Sequence, residues 1–177
     1  MSRVANRYSK ALFQLAREEQ KIDLLESETK NLLDLIQTNN DLSNMLVNPL
    51  MTAAKKVEIV TRLFTGRFDP LTCHFLILVC RKKRSNLLAE IMTNFLDRVL
   101  EEKGIWKGTV YGAHPLTPGQ IEQIRKRTMV LTGKTILLEE QVDHSLIGGF
   151  IVQIKDTIID LSVKGQLNRL RTKLIFG

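Results

Sequence analysis

Apolar residues recur at helical spacing through the first hundred positions and switch to alternation afterwards, so the pattern itself divides the chain. From Val4 to Arg17 they fall at Val4, Tyr8, Ala11, Leu12 and Leu15, with Ala5, Phe13 and Ala16 widening the arc. At about 100° per residue the arc covers roughly half the helix circumference, more than one core requires, and asks for a second neighbour. Lys21 to Thr38 repeats the pattern through Ile22, Leu25, Leu32, Leu33, Leu35 and Ile36, which puts Glu26, Glu28 and Lys30 on the solvent side. Asp41 to Val47 predicts a short helix stopped ahead of Pro49, which disfavours helical backbone at Asn48. Thr52 caps a further helix through Val57, Val60, Leu63 and Phe64, closed at Gly66. Pro70 to Lys82 begins with proline at a permitted first-turn position and ends in cations that suit the helix dipole. Its FLILVC centre would equally serve a buried strand, and helix is preferred because both neighbours are helical. Asn86 to Lys103 completes the series, with Leu87, Leu88, Ile91, Phe95, Leu96, Val99 and Leu100 inward.

Beyond Gly104, Ile105 to Ala113 alternates and is β-branched, predicting a strand. The segment LTPGQ then caps a helix through Ile121, Ile124 and Met129 that stops before Gly133, and Thr135 to Val142 reads as a second strand. Two short strands follow, Gly149 to Ile154 and Thr157 to Leu161, separated by a Lys155-Asp156 turn. Ser162 opens a last helix whose apolar positions are Val163, Leu167, Leu170 and Leu174. The predicted fold class is α+β, with an N-terminal six-helix bundle over residues 1–104 and a small mixed α/β domain over 105–177.

Composition changes this picture little. Of 177 residues, 44% are hydrophobic and 25% charged, which is enough to bury a core. The formal net charge of +7 calls for an acidic partner without choosing among nucleic acid, anionic membrane and acidic protein. No run approaches the roughly 18 apolar residues of a membrane span. The start, MSRVANRYSK, enters a helical pattern directly without a signal-peptide core, and a bacterial-type cytoplasmic location is expected. Cys73 and Cys80 lie two helical turns apart, roughly 10 Å, out of disulfide reach, and are expected as buried free thiols. His74 sits about 100° round from Cys73, which disfavours a metal site.

Candidate chemistry is sparse. Glu139, Glu140, Asp143, Asp156 and Asp160 cluster at strand ends and turns, where acids serve local hydrogen bonds, and no Ser/His or Cys/His arrangement accompanies them. Asp160 is expected to support the start of the last helix together with Ser162. Gly148-Gly149 lacks the companions of a P-loop or dinucleotide fingerprint and reads as a turn or bulge. The run Arg81-Lys82-Lys83-Arg84 has no adjoining aromatics and reads as a solvated helix terminus. More informative are the two helices with surplus apolar surface, Val4 to Arg17 and Pro70 to Lys82. Side by side they would either form a groove for an amphipathic helix from another chain or simply be central in the bundle.

The segments ANRYSKALFQLA, HPLTPGQ and VDHSLIGGFIVQIKDTIIDLSVKGQLNRL, in this order, resemble the delta subunit family of F-type ATP synthase, whose mitochondrial counterpart is the oligomycin-sensitivity-conferring protein. The resemblance spans essentially the whole chain, with departures at Leu161, where a small residue is common, and at His144, where proline is frequent. It implies a non-catalytic stator subunit without cofactor or metal, present in single copy, that keeps the catalytic head from turning during proton-driven ATP synthesis. It further implies that the helical domain holds the N-terminal helix of an alpha subunit and that the C-terminal domain meets the C-terminal end of the b-subunit stalk. Membrane association would arise only through the complex, at the cytoplasmic face of a bacterial inner membrane. The head-binding groove is expected on Tyr8, Ala11, Leu12 and Leu15 with Phe75, Leu76 and Val79, and the stalk contact on Lys164, Arg169, Arg171 and Lys173. The alternative is a basic helical RNA-binding or antitermination-type protein, whose affinity would fall steeply with salt. A small hydrolytic enzyme would need a pocket uniting the C-terminal acids.

Overall fold

A computed structural model describes residues 2–154 and 157–176, without the side chains of Lys173, Ile175 and Phe176. The Lys155-Asp156 turn therefore lies outside the described residues. The chain forms two compact units, Met1–Val99 and Leu100–Gly177.

The first unit contains α1 (Arg3–Glu18), α2 (Ile22–Thr38), α3 (Asn40–Val47), α4 (Ala53–Phe64), α5 (Pro70–Arg81), a 3-10 turn (Ser85–Leu87) and the larger part of α6 (Leu88–Glu102). The starts of α3, α4 and α5 are fixed by side chains. Asn39 accepts from the Leu42 amide at 3.0 Å, Thr52 from the Lys55 amide at 3.3 Å, and Asp69 from the Leu71 amide at 2.9 Å with Pro70 following it. The apolar run in α5 is helical, as its neighbours suggested, and its inner face carries Cys73, Phe75, Leu76, Val79 and Cys80. These pack with Leu12, Leu25, Leu32, Val60, Ile91, Met92, Phe95 and others into one core. Cys73 and Cys80 are both buried and free, and burial pushes both thiols up from their ordinary value.

One expectation fails here. Glu28, assigned to the wet side of α2, is only 8% exposed. Its carboxylate accepts from the Asp69 backbone amide at 2.6 Å and from the Thr72 hydroxyl at 2.5 Å, so it anchors the first turn of α5 to the middle of α2. An otherwise orphan amide at the helix start and a side-chain hydroxyl in its first turn supply the donors that make this burial tolerable.

The second unit is a four-stranded mixed sheet with two helices, α7 (Pro118–Thr132) and α8 (Val163–Phe176). Strand order is β2-β1-β3-β4, with β1 (Ile105–Gly112) parallel to β2 (Thr135–Val142) and antiparallel to β3 (Phe150–Ile154), and β4 (Thr157–Asp160) antiparallel to β3. The parallel β1–β2 pair requires a crossover, supplied by α7, which a Thr117–Gln120 capping box begins and left-handed Gly133 ends. Val110, Ile124, Ile136, Val152 and Ile154 form its core.

Gly148-Gly149 proves to be a seat for α8. Gly149 has φ +77°, and a Cβ there would stand 2.6 Å from the Leu161 carbonyl oxygen and 2.9 Å from the Ser162 Cα. The Gly148 carbonyl accepts from the Val163 amide at 2.9 Å. Close approach of two backbones, not ligand binding, is what these glycines permit.

Candidate functional site

Three acids of the C-terminal cluster, Glu140, Asp143 and Asp160, are occupied with backbone. The Asp160 carboxylate accepts from the Ser162 amide at 2.9 Å while the Ser162 hydroxyl accepts from the Gly165 amide at 3.0 Å, so the pair starts α8 as expected. Asp143 accepts from the Ser145 amide at 2.9 Å, and Glu140 from the Leu116 amide. Hydrogen bonds from Ser145 and Ser162 hold the Asp143 and Asp160 carboxyls below the usual range. Glu139 is exposed, and Asp156 lies outside the described residues. Among the described residues no cluster of His, Cys, Asp and Glu has metal-binding geometry, and no helix is long and apolar enough to cross a membrane.

What the surface does offer is apolar. In α1 the inward stripe is Ala5, Ser9, Leu12 and Ala16. Beside it runs a second stripe of half-buried Val4 and Tyr8 followed by exposed Ala11 and Leu15, the last 43% exposed. On α5 the matching stripe, at i, i+4 and i+7, is half-buried Leu71, buried Phe75 and Leu78, the last 44% exposed. Tyr8 and Phe75 meet edge to face with ring centroids 6.4 Å apart. Just past α1, Lys21 pairs with Asp69, the cap of α5, at 3.3 Å. These two contacts put the C-terminal end of α1 by the N-terminal end of α5, so the helices run in opposite senses.

The seven expected groove residues therefore divide. Tyr8, Ala11 and Leu15 lie on the outward stripe, and Phe75 backs it. Leu12 is 1% exposed and Leu76 and Val79 are 0% exposed, which corrects their assignment to a partner-accessible groove. A half-circumference apolar arc has an inner half that the core claims first. Leu71 and Leu78, which sequence reasoning did not single out, are the other members of the outward stripe on α5; the i, i+4, i+7 spacing from Leu71 was the available signal.

On α8, Lys164, Arg169 and Arg171 are exposed, and the side chain of Lys173 lies outside the described residues. Arg169 donates to the Asp160 carbonyl oxygen at 2.7 Å, which ties it to the helix start. The apolar positions Val163, Leu167, Leu170 and Leu174 are 41, 59, 57 and 87% exposed and form one outward stripe. Lys164 and Arg171 flank that stripe, about 80–100° round the helix. The sequence displayed this stripe, but its periodicity is the same whether a face is covered by the chain itself or by another molecule. The Arg81–Arg84 run is exposed at the end of α5.

Comparison with known proteins agrees with a surface built for partners. Residues 4–174 match the family model described as the ATP synthase delta (OSCP) subunit. The chain is 33% identical over 171 residues to the ATP synthase subunit delta of Syntrophomonas wolfei, covering 97% of this chain and 94% of the relative. It is 36% identical over 174 residues to that of Carboxydothermus hydrogenoformans, covering 98% and 97%. Its fold matches a chain in the Toxoplasma gondii mitochondrial ATP synthase hexamer with a TM-score of 0.73 at 18% identity, over 99% of both chains. A chain of the Polytomella F-ATP synthase matches 58% of this one, and 91% of its own length, with a TM-score of 0.54 at 16% identity. None of these comparisons supports an RNA-binding protein. With the family model covering nearly every residue, the chain belongs to the ATP synthase delta (OSCP) subunit family and is a structural, non-catalytic stator component of the peripheral stalk in the membrane-associated synthase.

Proposed function

We propose that the helical unit, residues 1–104, grips the N-terminal helix of an alpha subunit along the outward stripes of α1 and α5, and that the α/β unit, residues 105–177, meets the C-terminal end of the b-subunit stalk through α8. The observation that carries the first contact is the pair of stripes joined at Tyr8 and Phe75, which leaves Ala11, Leu15 and Leu78 uncovered. Small Ala11 between two larger neighbours leaves a notch of the kind an amphipathic helix fills with an anchoring side chain. The second contact is supported by the exposed stripe from Val163 to Leu174 with Lys164 and Arg171 beside it. These residues suit a stalk helix that is apolar on one face and acidic at its margin. In this reading the first unit is a six-helix bundle, one copy serves each complex, and the protein sits at the cytoplasmic face of a bacterial inner membrane through its partners alone.

Binding at both ends is the mechanism. A joint that carries torque needs neither end to release, and joining two moderate contacts in one assembly raises the effective concentration at each. The test is titration into the full chain of a peptide with the N-terminal sequence of the alpha protein, and separately of one with the last residues of the b protein. Saturable binding that survives moderate salt is expected for the alpha peptide, because burial of apolar area is little screened. Leu170→Asp should weaken the b peptide by tenfold or more and leave the alpha peptide unaffected. Absence of saturable alpha-peptide binding overturns the first assignment, and an unchanged b-peptide affinity in Leu170→Asp overturns the second.

A further inference from the structure

The helical unit also contains a cleft that uses none of the residues assigned to partners. Where α3 turns into α4, a cavity of about 560 Å³ is lined by Asn48, Leu50, Lys56, Lys83, Ser85 and Asn86 among others, with no acidic side chain in its wall. That volume is within the range of small-molecule sites.

Its wall contains a buried cation. Lys56 is 6% exposed, and its Nζ donates to the Leu46 carbonyl at 2.8 Å and to the Ser85 hydroxyl at 2.9 Å. The Ser85 hydroxyl in turn donates to the same carbonyl at 2.6 Å. Both partners of Lys56 are neutral oxygens, and among the described residues they engage two of the three N–H donors of its ammonium. A buried charge whose neighbours are neutral is costly, and an anion in the adjoining space offsets that cost. At the rim, Lys83 is held in left-handed backbone at φ +55°. Arg81, Lys82 and Arg84 beside it raise the local positive potential. The same cleft is also lined by apolar Val47, Leu50 and Met51, of which Val47 is 60% and Leu50 90% exposed.

We propose that this cleft binds an amphiphilic anion, a phosphate or carboxylate group on a short apolar body. The anionic group meets Lys56 and Lys83 while the apolar body covers Val47, Leu50 and Met51. A structural pin between α3 and α4 accounts for the Lys56 hydrogen bonds, but not for an acid-free cleft with a second lysine and an apolar lip.

The test uses the full chain and two probes, inorganic phosphate and hexyl phosphate, followed by amide chemical shifts. Saturable shifts confined to residues 46–56 and 80–86 are expected, with hexyl phosphate tighter by about tenfold or more because its methylenes leave water. Lys56→Met should abolish binding. Lys83→Gly, which suits the left-handed backbone and leaves the core untouched, should weaken it several-fold, so the outcome does not depend on Lys56→Met folding. Capture by phosphatidylglycerol vesicles that is lost in Lys83→Gly would assign the anion to a lipid headgroup. Hexyl phosphate binding without vesicle capture would assign it to a soluble ligand. Non-saturating shifts spread over the basic surface, or affinity unchanged in both variants, would overturn the proposal.

Discussion

Tyr8 on α1 and Phe75 on α5 touch edge to face, and they mark the line along which the covered half of each helix gives way to the uncovered half. Substitutions on the two sides of that line should have opposite signatures. Ala11→Glu, on the exposed side, should abolish alpha-peptide binding while stability stays within about 0.5 kcal/mol, as for ordinary surface changes. Leu76→Ala, on the inner side, should lower stability by about 2–5 kcal/mol through the cavity it leaves. Urea unfolding followed by helical circular dichroism separates the two. A large loss of helical signal in Ala11→Glu would place Ala11 in the core instead.

Glu28→Ala should cost about 2–4 kcal/mol, because the Asp69 amide and Thr72 hydroxyl lose a charged acceptor in a buried place. Glu28→Gln should recover part of that, since an amide oxygen still accepts. Amide hydrogen exchange offers a local readout, with faster exchange at the Asp69 cap than within α5 in either variant.

Gly149→Ala is expected to destabilise the C-terminal unit by several kcal/mol. The positive φ and the 2.6 Å approach to the Leu161 carbonyl leave no room for a methyl group. Trp106 on β1 is the only tryptophan in the chain, so its fluorescence reports unfolding of this unit. An unchanged urea midpoint would show that the α8 seat shifts freely.

Acid should loosen both units through the carboxylates that hold their caps and turns. The folded-state pKa values of Asp69, Asp143 and Asp160 are lowered chiefly by hydrogen bonds, from Leu71, Ser145 and Ser162 respectively. Their contribution is therefore full above the ordinary carboxylate value of about 3.9 and is lost as pH falls through the lowered values. In a urea series at pH 6, 4 and 3, Asp160→Asn should show a shallower decline below pH 4 than the parent. An identical slope would mean that the Asp160 cap contributes nothing to folding.

Element type was legible wherever elements are long and strongly periodic, and at the FLILVC run only through its helical neighbours. The strand expected over Thr135–Val142 is β2, and the ambiguous FLILVC run is helix. Direction within an apolar arc was less accessible. Leu12, Leu76 and Val79 belong to arcs so broad that spacing alone does not say which edge faces the core. Glu28 illustrates the converse case. It follows Leu25 by three residues and precedes Leu32 by four, on the buried face, and its chemistry argued for solvent while its position argued for the interior. The α8 stripe was visible as a pattern, yet pattern carries no information on whether its cover belongs to the same polypeptide.

The strand order β2-β1-β3-β4 also bears on how the protein is made. β1 is the first strand to leave the ribosome, yet it is central in the finished sheet, with later segments on both sides. Its parallel neighbour starts at Thr135, beyond the whole of α7, and its antiparallel neighbour only at Phe150. Translation thus exposes two open strand edges well before either is paired, and non-local pairing of this kind is slow. A nascent chain stalled between Gly133 and Gly149 leaves at least one edge of β1 open, which makes that interval the one in which a chaperone has most to protect.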